Sequence, residues 1–534
     1  MGRAVARNRR TLTGLGLLAA LPIGFLALFF IWPVAAIVGL GFADGGVGEA
    51  LAEGETWRLA AFTVTQAAAS TVLAVLAGLP VAYVLARLRL PGVAAVRSLL
   101  LVPFVLPTVV VGLAFRALWP DGGLTSIVLA NTFFNIAVVA RTVGGLWAHL
   151  DRGGEEAARV LGASAFTAFR TVTLPAIMPA VGSAAAVVFL FCSTSFGVVL
   201  ILGGGTLRTL ETEIYLRTVN LFDLPGAAAL SLVQLAAVIA ALAVGARARR
   251  RRETALRLRP STRTARRPAG GEWWVVAAAG GVLVLLAVPI AGLVLRSLSG
   301  VDGWSLAGYR AFTGTGEGVP AWDAALNSLR TAFDATVLAL IVGVLASVVI
   351  VSLRRSARVA GEVLDGALML PLGVSAVTVG FGYLVTLDDL PGDLRTSPLL
   401  VPLAQALVII PLVIRMVLPV LRSVDERLRQ AAATLGAGPL RVWREVDLPL
   451  TLRSLVAAAG FGYVVALGEF GATSFLARPE APTLPVLIAE LAGRPGQLNS
   501  QLAYASCVLL MVVTGAVVLV IDRLRAGQSA VGEF

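Results

Sequence analysis

Long apolar runs separated by short arginine-rich gaps recur along this chain, and this alternation narrows its possible folds more than any other feature. Inside a bilayer no water is available to bond exposed backbone N–H and C=O groups, so such a run must satisfy them within itself as a helix. A hydrocarbon core of about 30 Å needs roughly 20 apolar residues per crossing. The runs fall near 13–42, 59–86, 98–119, 125–148, 175–203 and 225–246, then near 273–297, 328–353, 362–387, 397–421, 450–477 and 499–522. The expectation for the 534 residues is an all-α polytopic membrane protein with twelve transmembrane helices. Composition agrees, since 57% of residues are hydrophobic and 14% charged, against about a quarter charged in a soluble domain.

Loop charge orients these helices. A secretory signal has an apolar core of about 7–15 residues; the first run is far longer and reads as a retained helix behind Arg3, Arg7, Arg9 and Arg10. With the N-terminus inside, every second connection should be cytoplasmic and rich in arginine. Those connections hold Arg87, Arg89 and Arg97, then Arg152, Arg159 and Arg170, and in the second half Arg354, Arg355 and Arg358, then Arg422, Arg427, Arg429, Arg441 and Arg444. Arg523 and Arg525 follow the last run, whereas Asp44, Glu49, Glu53 and Glu55 mark an outer loop. Both termini are therefore expected in the cytoplasm and the chain in the cytoplasmic membrane. The stretch Ala246–Pro268 holds ten arginines and reads as an anchor on anionic headgroups, each charge contributing about 1 kcal/mol near the surface.

The same residues exclude several functions. Arginines confined to juxtamembrane loops argue against a nucleic-acid partner. The sequence contains no lysine, and a phosphate-binding Walker loop needs one, so any ATP chemistry must come from another polypeptide. Cys192 and Cys507 sit inside apolar runs and His149 at the end of one; neither a disulfide framework nor a metal site can be built from them. Asp388, Asp389 and Asp393 form one acidic cluster beside Pro391 and Gly392 and read as an outer turn. Gly203–Gly205 reads as a loop exit. No catalytic group and no cofactor are expected.

The chain is also duplicated. Pro33 matches Pro289 at an offset of 256, Gly78 matches Gly343 at 265, and Pro103 and Gly112 match Pro371 and Gly380 at 268. From Leu129 to Gly197 the offset holds at 274. The expected division is a first half at 1–245, an arginine-rich linker at 246–270 and a second half at 271–534, in parallel repeat about an axis along the membrane normal. A pathway would run between the halves.

The most telling repeat is polar. Glu156–Pro175 reads EAARVLGASAFTAFRTVTLP, and Gln430–Pro449 reads QAAATLGAGPLRVWREVDLP. Each lies in the gap after the fourth run of its half, within 151–175 and 425–449. Ala157 and Ala158, or Ala431 and Ala432, favour helix; Gly162 or Gly436 then frees the backbone to turn. A second short helix presents Phe166, Phe169 and Arg170, matched by Leu440, Trp443 and Arg444. Such a helix–Gly–helix knuckle bears an apolar face that lipid does not cover and needs an aqueous partner.

This pattern resembles the EAA loop of ABC-importer permeases, in which the knuckle docks on a nucleotide-binding subunit. Nearly the whole chain is similar to the fused permeases of the thiamine and ferric-iron uptake group. Further resembling segments are Phe133-Phe134-Asn135, Ser195-Phe196-Gly197, Leu202–Gly205, Leu210–Tyr215 and Gly468-Glu469-Phe470-Gly471. The resemblance implies two type I permease halves in one chain, two ATPase subunits on the knuckles and an extracytoplasmic substrate-binding protein. Gln430 departs from the acidic pattern, which implies an asymmetric second dock.

Ionisable groups within spans are costly and are functional candidates. Glu469 occupies the position of Ser195 in the other half, and Asp334 follows Arg330 by four residues, so those two can pair on one helical face. Glu469, Asp334, Ser195 and Asn135 are the pathway candidates, with structural pairing or gating as the other readings of the carboxylates. Arg141 and Arg415 sit about ten residues before the loop aspartates Asp151 and Asp425, as anchors or braces of the loop. The alternative function is a secondary transporter of six plus six helices; it would carry midplane carboxylates in both halves, and only Glu469 comes close.

Overall fold

A computed structural model describes residues 16, 18–43, 46–93, 96, 100, 103, 105–250, 266–300, 303–314, 318–386 and 397–529. The acidic cluster at Asp388–Asp393, most of the linker and both extreme termini lie outside the described residues. Ten described helices are long and apolar enough to cross a membrane, or eleven if one bent pair counts as a single span. The only strands among the described residues pair Ser299–Gly300 with Gly303–Trp304.

Two expected spans are broken, both near the matched prolines. Of the 98–119 run, an unbroken helix is described only over Thr108–Leu118, behind Pro107 in an extended conformation. The 362–387 run bends by 98° between Arg358–Gly373 and Ala376–Thr386, with Pro371 inside a 3₁₀ turn and Val374 extended. Proline lacks the N–H that would continue the ladder; Leu370 before Pro371 stays helical and the chain turns extended at Val374, so length and composition overstate these helices.

Two further spans end early. The helix Ala165–Ser193 stops before a short helix at Gly197–Leu202, and Pro439–Gly468 stops before Thr473–Leu476. Additional short helices, Leu210–Val219 and Leu484–Gly493, follow in each half. Their starts differ by the repeat offset of 274, although neither was expected as a helix of its own.

Packing repeats with the sequence. The helices Gly54–Arg87 and Leu124–His149 cross where a Cβ on Gly78 would come within 2.7 Å of Val139. The helices Ala321–Ser356 and Leu400–Ser423 cross where a Cβ on Gly343 would come within 2.7 Å of Val413. With little hydrophobic drive between helices in lipid, close backbone approach at small residues supplies the packing energy. Gly78→Leu or Gly343→Leu is therefore expected to cost about 1–3 kcal/mol by overpacking, checked by thermal unfolding of the purified protein.

The first helix of each half lies against the other half. Phe25, Leu26 and Phe30 of Leu18–Phe42 share a buried cluster with Val342, Ile414 and Leu418. Leu286 and Leu293 of Glu272–Ser297 join a cluster with Val110, Leu113 and Ile127. Each first helix therefore packs across the boundary between the halves.

Candidate functional site

Each knuckle is built by the same local chemistry. Asp151 accepts a hydrogen bond from the Gly153 N–H at 3.1 Å, and Asp425 from the Arg427 N–H at 2.9 Å, where a short side-chain acceptor satisfies an orphan helix donor. The helices Gly153–Val160 and Glu426–Thr434 follow. At their ends the Gly162 N–H donates to the Arg159 carbonyl and the Ala163 N–H to the Ala158 carbonyl; the Gly436 and Ala437 N–H groups do the same to Ala433 and Ala432. This paired closure needs a left-handed residue after the helix, and Gly162 and Gly436 adopt φ of +90° and +85°. The second short helices begin at Ala165 and Pro439 and pass through π turns, Phe169–Thr173 and Trp443–Asp447, into the next span.

The docking candidates divide into two sets. Glu156, Ala157, Phe166 and Arg170 are exposed, as are their counterparts Gln430, Ala431, Leu440 and Arg444. Ala158 and Ala432 are half-buried. Phe169 is turned inward and stacks on Trp147, with ring centroids 6.0 Å apart, and Trp443 packs against the second-half core. The most exposed apolar side chains of the knuckles, Leu161 and Leu435 at 88% each, stand inside the repeated stretches but were not counted among the docking residues. The residue before each turning glycine is apolar and has no membrane to enter, which was the available signal.

The two knuckles are fastened differently at one repeated pair of positions. In the first, the Thr173 hydroxyl donates to Glu155 at 3.3 Å. In the second, the same positions hold Arg429 and Asp447, which pair at 2.6 Å. Arg429 also donates to Glu426 and to the Leu421 carbonyl. Burial works to lower the Arg429 pKa, but its bonds and charge contacts with Asp447 and Glu426 outweigh that and hold it above the ordinary arginine range. The first knuckle gains support from the linker instead. Arg266 bonds through its backbone to Arg87 and Arg89 and through its guanidinium to Glu272 at 2.7 Å. Glu272 accepts a hydrogen bond from the Tyr83 hydroxyl, and Tyr83 rests edge-on against Trp147, the ring beneath Phe169.

Between the halves lies a cavity of ≈ 550 Å³ lined by Val105, Val138, Phe191, Gly460 and Val464, among others, and reaching Arg141 and Ile521 toward the knuckle end. Its wall is apolar, and among the described lining residues Arg141 carries the only charge. Arg415 is exposed at the matching position.

None of the four pathway candidates lines this cavity. Asp334 is half-exposed beside Phe333, Val337 and Ile341 and pairs with Arg330 at 3.9 Å, as its spacing predicts. Glu469 is buried, and its two oxygens accept the Ala472 and Thr473 N–H groups at 2.8 and 3.0 Å, capping the short helix that follows. Ser195 donates to Asn131 at 2.7 Å, Asn131 donates to Gln66 at 2.9 Å, and Gln66 donates to the Cys192 carbonyl at 2.7 Å. Asn135 is fully buried and donates to the Asn131 carbonyl at 2.8 Å. These polar groups hold the broken ends of the two spans. A carboxylate not singled out from sequence, Glu211, is also fully buried; it accepts bonds from Gln234 and, across the halves, from Ser375 at 3.0 Å.

The comparisons with known proteins agree with this duplicated architecture. The family described as binding-protein-dependent transport system inner membrane component matches residues 78–253 and, a second time, 354–526, so that each match contains one knuckle. The chain is 29% identical to the thiamine transport system permease protein ThiP of Brucella abortus over 95% of both chains. It is 25% identical to the protein of the same name from Escherichia coli over 88% of this chain and 89% of the other. It is also 38% identical to the molybdenum transport system permease protein ModB of Mycobacterium tuberculosis, over 35% of this chain and 77% of that one. These likenesses leave no need for the secondary-transporter reading. The chain is a multi-pass inner-membrane protein and belongs to the binding-protein-dependent transport system inner membrane component family, whose unit it carries twice.

Proposed function

We propose that this ABC-importer permease carries thiamine inward across the cytoplasmic membrane, with both termini in the cytoplasm. It is a translocation subunit and does no bond chemistry. The observation that carries the substrate is the likeness to thiamine permeases over 95% of both chains. An extracytoplasmic binding protein delivers the cargo to the face opposite the knuckles. Two ATPase subunits grip the knuckles, one through Glu156, Leu161 and Phe166 and the other through Gln430, Leu435 and Leu440. Their closure and opening rock the 1–245 and 271–534 halves about the cavity between them, and the linker 246–270 keeps the two in one chain.

Uptake into liposomes holding the permease, its ATPase and its binding protein tests the substrate. Thiamine accumulation that depends on ATP, without accumulation of ferric iron, is expected; iron uptake without thiamine uptake would overturn the assignment. The docks are tested by Phe166→Ala and Leu440→Ala. Each removes a large apolar side chain from the proposed interface, a loss of about 2 kcal/mol. Each should therefore weaken ATPase association in a binding titration by roughly thirtyfold.

A further inference from the structure

Phe196 and Phe470 occupy matching positions in the two halves and meet each other. Their rings stack with centroids 5.2 Å apart and an interplanar angle of 19°, and both are almost fully buried. Two repeat-related residues in mutual contact must lie at the pseudo-twofold axis, where a pathway between the halves would run. The apolar cavity lies on the knuckle side of the stack: its lining begins at Val105 and Val464, two and six residues before Pro107 and Phe470, and ends at Arg141 and Ile521. Around the rings the backbones are close. A Cβ on Gly197 would come within 2.5 Å of Thr108 and 3.2 Å of Phe470, and one on Gly468 within 3.5 Å of Pro107. Tyr215 leans on Phe196 and meets Phe475 edge-on, both with centroids 5.2 Å apart.

The polar candidates from the sequence sit directly beside this pair. Ser195 precedes Phe196, and Glu469 precedes Phe470. Ser195 is held through Asn131 and Gln66, and Glu469 by the two N–H groups it caps. Both are spent on backbone placement rather than on the cavity, so each acts as a positioning residue for the ring that follows.

Resting on the thiamine reading, we propose that the Phe196–Phe470 stack is the seal of the translocation pathway, and that the parted ring faces are the surface over which an aromatic cation passes. The rings belong to opposite halves, so a rocking motion separates them without breaking a covalent or ionic link. Among the described residues the cavity wall offers no carboxylate. A desolvated organic cation is instead attracted by the negative face of an aromatic ring. A ring pair binds weakly enough to release its cargo, whereas a buried carboxylate in an apolar channel would trap it.

The test uses the whole transporter in liposomes with three forms of the permease. Phe196→Ala with Phe470→Ala removes the seal and should let trapped choline leak out when ATP is absent, with wild type tight. Phe196→Leu with Phe470→Leu keeps an apolar plug but no ring face; it should stay tight to choline while the maximal rate of thiamine uptake falls roughly tenfold. ATPase binding by each variant shows that it is folded. A folded alanine pair that stays tight would overturn the seal, and a leucine pair with wild-type thiamine kinetics would overturn the cation contact. The choline arm does not depend on the cargo, so wild-type protein that leaves thiamine outside would refute the substrate reading while the leak still decides the seal.

Discussion

Replacing Gly162 and Gly436 together by leucine is expected to abolish ATP-driven uptake and to release the ATPase during co-purification. Both residues sit at positive φ, +90° and +85°, where an L side chain costs roughly 1–2 kcal/mol. The strain falls on the paired bonds that close each helix, so the simplest relief is to unwind the turn. Nothing lies within 4 Å of either added Cβ, so the membrane body gains no clash and should keep its helical content and melting temperature. Loss of docking with an unchanged body is thus the specific signature. Retention of both ATPase binding and uptake would refute the assignment of the knuckles as docks. The single variants separate the two sites: if the exposed Glu156 contributes to its dock and Gln430 does not, Gly162→Leu should weaken the complex more than Gly436→Leu.

Asp447→Ala should have the next largest effect, and in one knuckle only. The Arg429–Asp447 pair is largely buried, with side chains 13% and 10% exposed. Removing one partner of a buried pair leaves an uncompensated charge, at a cost of about 3–5 kcal/mol when burial is complete. Arg429 keeps Glu426 and two backbone carbonyls as acceptors, so about 2 kcal/mol is the better expectation. Thermal unfolding and ATPase titration should both shift. Installing the first knuckle's own residues, Glu426→Arg, Arg429→Glu and Asp447→Thr together, should recover most of the loss, because Arg152, Glu155 and Thr173 hold the same positions in the first half. If the swap is worse than Asp447→Ala, the two knuckles are not interchangeable braces.

The pairing also explains how the chain tolerates a departure from symmetry. The first knuckle has a weak internal bond but rests on Phe169, Trp147, Tyr83 and Glu272, the last held by the end of the linker. Among the described residues no linker segment touches the second, which carries a charged clasp instead. Duplicated units diverge at such positions because each needs to be held only by whatever lies next to it.

How much of this was legible beforehand follows from the range of the forces involved. Length and apolarity of a run decide whether it can cross lipid, arginine bias decides which loops stay inside, and a glycine at a fixed offset after two alanines decides where a helix must turn. All three are properties of chain neighbours, so the sequence by itself determined the polytopic class, the duplication and both knuckles. Proline breaks were visible as residues, but whether a helix bends, ends or ignores them depends on what packs alongside, and the 98° bend near Pro371 was not readable. The placement of Glu469 shows the same limit. An acidic residue in an apolar run reads as a pathway group until its partners are known, and those partners are backbone N–H groups exposed by a helix break. Only the tertiary structure brought Phe196 against Phe470, set each first helix on the opposite half, and paired Arg429 with Asp447. Each of those contacts joins segments that approach only after the helices have packed, and packing in lipid depends on shape complementarity rather than on any pattern along one strand of sequence.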